Sequence, residues 1–367
     1  MKIVFIYPYP ETEAPSQRYR FEQFIPFLLE RNIEVIKAPF WDEKGWSILY
    51  KKGHFLQKIQ ALLKGWIRRY RLLNGISNAD FIFIHRELDP IGLPLFTHKL
   101  ARFDRNKIIF DLDDAIWIPN SSRSNRFFER LKNWNQPAAI ASLSGTISGG
   151  NRYLCNWGEK YASKSVLIPT TVDTDRVHNV LQSHHVDKVC VGWTGTHSTL
   201  KYLKPLIPSL EKLMHRFPNL EIKVICDAKP DFLSPTMQWI PWDKSREVED
   251  LLQLHIGLMP LEEDAWSNGK CGFKAIQYMS LGIPAVVSPV GVNSEIVDHE
   301  VNGMLIFNEE EWESVLEELI TNEHKRIEMG KKARPKIQQF YSVKAVKPAW
   351  LSLFGLPDTA PEYATKN

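Results

Sequence analysis

Residues 268–295 read NGKCGFKAIQYMSLGIPAVVSPVGVNSE, and this stretch decides the fold. A loop over 268–271 runs into a helix expected at about 272–281, where Phe273, Ile276, Gln277 and Ser280 recur near a 3.6-residue spacing. Gly282-Ile283-Pro284 ends that helix, and Ala-Val-Val between turn residues predicts a buried strand over 284–288. A second loop follows, holding Gly291. Helix, tight turn and buried strand in this order are the units of an α/β domain with a parallel sheet.

The charges at the start of the helix conflict with its dipole. A helix N-terminus carries unpaired N–H groups and about half a positive charge. Carboxylates suit that end, yet Lys270 precedes it and Lys274 sits in its first turn. A bound anion resolves the conflict, with Gly269 and Gly272 letting oxygens approach the backbone, and a diphosphate fits two cations. The alternative is internal pairing of the lysines with Glu262, Glu263 or Asp264 just upstream.

The totals place the chain among ordinary globular proteins. Its 367 residues suffice for two or three domains, at 44% hydrophobic and 24% charged. A net charge of +3 does not call for nucleic acid. Cys155, Cys190, Cys226 and Cys271 show no CxxC spacing, which argues against a zinc site and for a reducing, cytoplasmic setting. No apolar run approaches about 20 residues, and Met1 leads directly into a strand, so neither a membrane span nor a signal peptide is expected.

Outward from the central stretch, short apolar runs alternate with helical patterns. Strands are expected at 2–8, 33–39, 81–84, 107–110, from 146, and at 165–169, 189–193, 222–226, 256–261 and 303–307. Ligands in such folds bind where strands end, so the residues just after them are candidates. After the first strand come Arg18 and Arg20, candidates for an anionic group, with Ser16 able to cap a helix carrying Phe21, Phe24, Ile25, Leu28 and Leu29 inward. Arg86 follows the 81–84 strand. Asp111, Asp113 and Asp114 end the 107–110 strand, a concentration of charge that suggests a metal site, a sugar-contacting group or a helix cap. Trp117 could stack on a sugar or fill the core. After 189–193 comes Thr194-Gly195-Thr196-His197-Ser198-Thr199, a small-residue loop suited to phosphate, with Ser198 or Thr199 as helix cap. His178, His184 and His185 offer no third ligand at a sensible spacing and are expected in solvent. Residues 51–73 are basic without an acid, and Phe55, Ile59, Leu62, Leu63, Trp66, Ile67 and Tyr70 recur at helical spacing. That pattern fits either a helix on an anionic membrane surface or one packed on its domain.

Pro260, Cys271-Gly272, the run from Gln277 through Met279-Ser280-Leu281-Gly282-Ile283-Pro284 to Val287, and Gly291 to Glu295 together resemble the donor-binding segment of retaining glycosyltransferases of family 4. The likeness departs where that family carries two glutamates, since Gly269 and Gln277 stand there. It implies the α/β GT-B fold, two Rossmann-like domains facing across a cleft. The expected division is 1–172 on the acceptor side, a linker at 173–188, a nucleotide-sugar domain at 189–342, a helix at 343–356 crossing back to the first domain, and a polar tail at 357–367. The implied partners are a nucleotide-sugar donor and a glycan or lipid-linked acceptor, with no nucleic acid, cofactor or metal. In that scheme Gly195, Thr196, His197, Lys201, Gly272, Phe273, Gln277, Val292, Asn293 and Glu295 hold the nucleotide. Lys270 and Lys274 stabilise the departing diphosphate, Asp113 and Asp114 address the sugar, and Arg18 and Arg86 lie on the acceptor side. A non-catalytic nucleotide- or glycan-binding relative and a metal-dependent transferase using Asp111, Asp113 and Asp114 remain the alternatives.

Overall fold

The structure, a computed structural model, describes residues 1–49, 51, 53–119 and 132–358. The chain divides into two units, Met1–Thr170 with Val346–Asn367, and Thr171–Ala345. Lys52 and all but the first two residues of the 357–367 tail lie outside the described residues.

Unit 1 is built on six parallel strands, β1 (Lys2–Tyr7), β2 (Glu34–Pro39), β3 (Phe81–His85), β4 (Ile108–Leu112), β5 (Thr146–Gly149) and β6 (Lys164–Leu167), in the order β2-β1-β3-β4-β5-β6. The central strands are near-continuous apolar runs because helices cover both faces of a parallel sheet. The chain steps from β1 out to β2, then returns to place β3 on the other side of β1. Loops after β1 and β3 therefore flank the point where strand order reverses, the usual ligand crevice of such sheets.

An aromatic core fills one side. Trp350, on the helix Val343–Ser352, stacks on Phe24 with centroids 4.9 Å apart and also meets Phe5 and Phe83. The segment after β1 differs from the single Ser16-capped helix read from the sequence. It is a short helix Pro15–Arg18 with Ala14 as N-cap, a 3₁₀ turn Glu22–Phe24, and a helix Ile25–Leu29. Pro26 lacks the N–H that would continue a single helix through this point. Leu29 is exposed rather than buried with Phe21, Phe24, Ile25 and Leu28.

Unit 2 repeats the plan with β7 (Val189–Gly195), β8 (Leu220–Cys226), β9 (Gln238–Pro241), β10 (Ile256–Met259), β11 (Ala285–Val287) and β12 (Gly303–Leu305), all parallel, ordered β12-β11-β10-β7-β8-β9. Its reversal point falls between β7 and β10. The expected helix of the central stretch spans Phe273–Ser280, with Gly282 in the left-handed conformation at φ 72° ending it. Residues 173–188 lie against this unit: Arg334 donates to the carbonyls of His178 and Thr174. The solvent expected around the histidines is present only at His185, which pairs with Glu323. His178 is fully buried, and buried His184 donates through Nε2 to the Gly282 carbonyl at 2.9 Å.

Candidate active site

In unit 1 the residues ending β3 and β4 form two linked charge clusters. Arg20 is 2% exposed and donates to Asp111, at 2.5 Å from Nη2 to Oδ1, and to Ser148 at 3.2 Å. His85 Nδ1 lies 2.8 Å from the other Asp111 oxygen. Burial pushes the Asp111 carboxyl up, but Arg20 and then His85 outweigh it and hold it well below the usual range. Arg20 is thus an internal partner of Asp111, not a group open to a ligand anion.

Arg86 differs from expectation in the same way. Its guanidinium forks onto Asp113 at 2.5 and 2.6 Å and reaches Asp114 at 2.9 Å. Burial opposes the Asp113 charge, and Arg86 followed by His85 restores it, so the carboxyl is held below its usual range. Arg86 itself sits at φ 64°, a left-handed conformation rare outside glycine, as strained positions near sites often are. His85 Nε2, fully enclosed, lies 3.9 Å from Asp113 Oδ1, so one imidazole stands between the two carboxylates. Arg18 packs over Tyr19 and donates to its hydroxyl at 3.2 Å. Trp117 is half-buried and stacks on Trp157 with centroids 4.0 Å apart. The three aspartates are directed at two guanidinium groups, Asp111 at Arg20 and both Asp113 and Asp114 at Arg86, and among the described residues no set of three His, Cys, Asp or Glu is arranged to hold a metal ion.

In unit 2 the central stretch and the Thr194–Thr199 loop are joined. Gly272 is the N-cap of the Phe273–Ser280 helix at φ 65°, and an added Cβ there would meet Ile296 Cδ1 at 2.2 Å. Only glycine meets both demands without strain. Lys270 Nζ lies 5.5 Å from the Trp266 ring centre and Lys274 Nζ 5.5 Å from that of Trp193, which is on β7. Tyr278 is the residue that the sequence did not reveal. It is fully buried, accepts from the Thr194 N–H at 2.9 Å and donates to the Leu258 carbonyl at 3.3 Å. One hydroxyl therefore fastens the helix to the ends of β7 and β10, on either side of the reversal point. Tyr202 and Ser267, hydroxyls 3.2 Å apart, add a second fastening.

Thr196 caps the 3₁₀ turn His197–Thr199, and Thr199, one of the two expected caps, stands at the N-cap of the helix Leu200–Leu203 that follows. The Thr196 N–H donates to Thr199 Oγ1 at 3.2 Å, and the Thr196 and Ser198 hydroxyls lie 2.8 Å apart. Gly195 is needed because a Cβ there would strike the Trp193 ring at 2.4 Å. His197 is gripped twice by Asp227, through its N–H at 2.6 Å and Nδ1 at 2.7 Å. The Asp227 hydrogen bond holds the imidazole above its ordinary range, so a cation is favoured at this loop. Asp227 follows β8 directly, a strand-end position that the sequence offers but that carries no motif. Lys201 is exposed over the Tyr202 ring.

Three expected nucleotide contacts turn inward. Gln277 is 3% exposed, and its Nε2 donates to Glu247 at 3.4 Å. Asn293 is buried, its N–H donating to Val290 and its side chain to the Ser288 carbonyl at 3.0 Å. Val292 is also buried, whereas Glu295 is exposed.

Residues 221–336 match the family model of glycosyl transferases group 1. No curated protein is similar enough in sequence to match. Among solved structures, the chain is similar to sucrose-phosphate synthase from Thermosynechococcus elongatus at 11% identity and a TM-score of 0.68, covering 96% of this chain and 98% of that one. It is similar to Anabaena HepE in complex with UDP-glucose at 14% identity and a TM-score of 0.65, covering 96% and 98%. A glycosyltransferase from Rickettsia africae gives 12% identity, a TM-score of 0.67, and coverage of 96% and 97%. At such identities the likeness establishes the fold, and that fold is GT-B.

Proposed function

We propose that this chain is a glycosyltransferase that takes a sugar from a nucleotide-diphosphate sugar of UDP or GDP type. It passes the sugar, with retained anomeric configuration, to a glycan, lipid or other cell-envelope acceptor. The observation that carries this reading is the glycine-capped helix start of Phe273–Ser280, bracketed by Lys270 and Lys274 and tied by Tyr278 to the end of β7. Two ammonium groups and helix amides at a strand-order reversal are the elements that hold a diphosphate and stabilise charge on it as it leaves. The neighbouring HepE structure, which contains UDP-glucose, supports the donor class.

In this reading Lys270, Lys274 and the Gly272 and Phe273 amides take the diphosphate, with Thr196, His197 and Lys201 beside it. Gln277, 3% exposed and donating to Glu247, holds its helix and is not assigned a ribose contact. Exposed Glu295 shapes the loop near the ribose. Asp113 and Asp114, oriented by Arg86, are the residues proposed to address the sugar. Departure and attack on one face of the sugar need no protein nucleophile and no metal, and activity is expected to persist in EDTA. A binding protein without turnover is the second reading, favoured by the glycine and glutamine at 269 and 277. Incubation with UDP- and GDP-sugars, followed by NMR of released or transferred sugar, separates the two. Turnover with the donor's anomeric configuration supports the transferase, and inversion overturns the retaining assignment. Nucleotide binding without turnover of any donor leaves the binding protein.

A further inference from the structure

The helix Phe55–Gly75 in unit 1 is anchored by one face and bare on another. Ala61, Gly65, Arg69 and Leu73 are buried. Gly65 lies against the Phe40 ring, and the Arg69 guanidinium donates to the carbonyls of Leu88, Ala38 and Tyr7 at 2.8, 3.0 and 3.2 Å. This fixes the helix's rotation about its axis. On the free side, Leu56 is 74% exposed, Ile59 38%, Leu63 47% and Ile67 51%, with Phe55 beside them at 62%. At about 100° per residue, Leu56, Ile59, Leu63 and Ile67 fall within roughly 80° of one another. Lys64, Arg68 and Arg71 run along one flank of that stripe.

The charge on this segment has one sign. Between Lys51 and Ala79 the sequence contains no aspartate or glutamate. Two of the arginines are accounted for inside the protein: Arg69 is buried, and Arg68 pairs with Asp42 at 2.7 Å. Lys64 and Arg71 remain exposed beside the stripe. A narrow convex line of large aliphatic side chains with cations alongside matches a planar surface that is apolar beneath and anionic at its face. Among the described residues no helix is long and apolar enough to cross a membrane, so the contact would lie in the interface plane.

We propose that this helix docks unit 1 on an anionic bilayer, with Leu56, Ile59, Leu63 and Ile67 inserted among the acyl chains and Lys64 and Arg71 at the headgroups. The proposal is independent of the nucleotide site and predicts no change in nucleotide affinity when the helix is altered.

The test is co-sedimentation of the full chain with vesicles of phosphatidylcholine alone or mixed with phosphatidylglycerol. The wild type is expected to bind only the mixed vesicles. Lys64→Glu with Arg71→Glu should weaken that binding by about tenfold or more, at about 1 kcal/mol per cation near such a surface. Leu63→Ser with Ile67→Ser should abolish it while UDP or GDP affinity stays at the wild-type level, which reports that the chain is folded. Absence of wild-type binding to mixed vesicles, or undiminished binding in both variants, overturns the proposal. So does a concentration-dependent dimer in sedimentation velocity that Leu63→Ser/Ile67→Ser dissolves while vesicle binding is absent, because the stripe would then belong to a second copy.

Discussion

The two units place opposite chemistry at equivalent points of the same architecture. In unit 1 the strand ends near the reversal carry carboxylates, and these are neutralised internally: Asp111 by Arg20 and His85, Asp113 and Asp114 by Arg86. In unit 2 the corresponding ends carry a left-handed glycine, a hydroxyl-rich loop and two lysines placed near tryptophan rings. One site is a preassembled ionic lattice. The other sets two lysines at a helix start, the arrangement proposed above to take an anion. A shared topology therefore supplies position alone, and the side chains at the strand ends supply the chemistry.

The largest effect should come from opening the unit 1 lattice. Arg20→Met leaves a carboxylate buried with only His85 and Ser148 beside it, and should cost about 3–5 kcal/mol in urea unfolding without altering nucleotide binding. A cost below about 1 kcal/mol would mean that the lattice is not held together by this pair. In unit 2 the sign of the experiment reverses. Lys270→Ala or Lys274→Ala should leave stability nearly intact and weaken UDP or GDP binding by about 1.5–3 kcal/mol each, measured by calorimetry. Gly272→Ala should sharpen the contrast by affecting both properties. The strained backbone and the contact with Ile296 should cost about 1–3 kcal/mol of stability, read as a lower melting temperature, and displace the Phe273 amide.

The smallest effect is a pH dependence that separates the units. His197 is raised above 6.5 by Asp227, so its contribution to stability is fully present below 6.5 and is lost as pH rises through its folded value. Nucleotide affinity should weaken over the same rise, and Asp227→Asn should shift that change to lower pH. Asp111 is depressed below 3.8, so its contribution is present above that value and lost only as pH falls through its folded value. Titrating UDP affinity between mildly acidic and mildly alkaline pH tests this. A flat profile would remove His197 from the anion site.

Much of this was legible from residue order. The alternation of apolar runs with helical patterns gave the two parallel sheets, and Gly272, Gly282 and Pro284 marked the central helix because backbone conformation is dictated locally. The partners of buried charges were not legible. Arg20 and Asp111 are 91 residues apart, and the bond from Gln277 to Glu247 spans 30. Nothing in a strand-end arginine distinguishes one aimed at a ligand from one aimed at the next strand's carboxylate. Tyr278 was hidden for a similar reason, since an aromatic on a helix reads as core until the Thr194 N–H is found against its hydroxyl. On the Phe55–Gly75 helix, periodicity located an apolar face, but the buried face is the one carrying Ala61, Gly65 and Arg69, because small residues let it approach Phe40 closely.

The measurement closest to the centre of the account is calorimetric titration of UDP and GDP into the wild type and into the Lys270→Ala/Lys274→Ala double variant. The wild type should bind at least one of the two nucleotides, and the double variant should lose at least about a hundredfold in affinity while keeping its melting temperature. Equal affinity in both proteins would contradict it, because the anion would then be held somewhere other than the start of the Phe273–Ser280 helix.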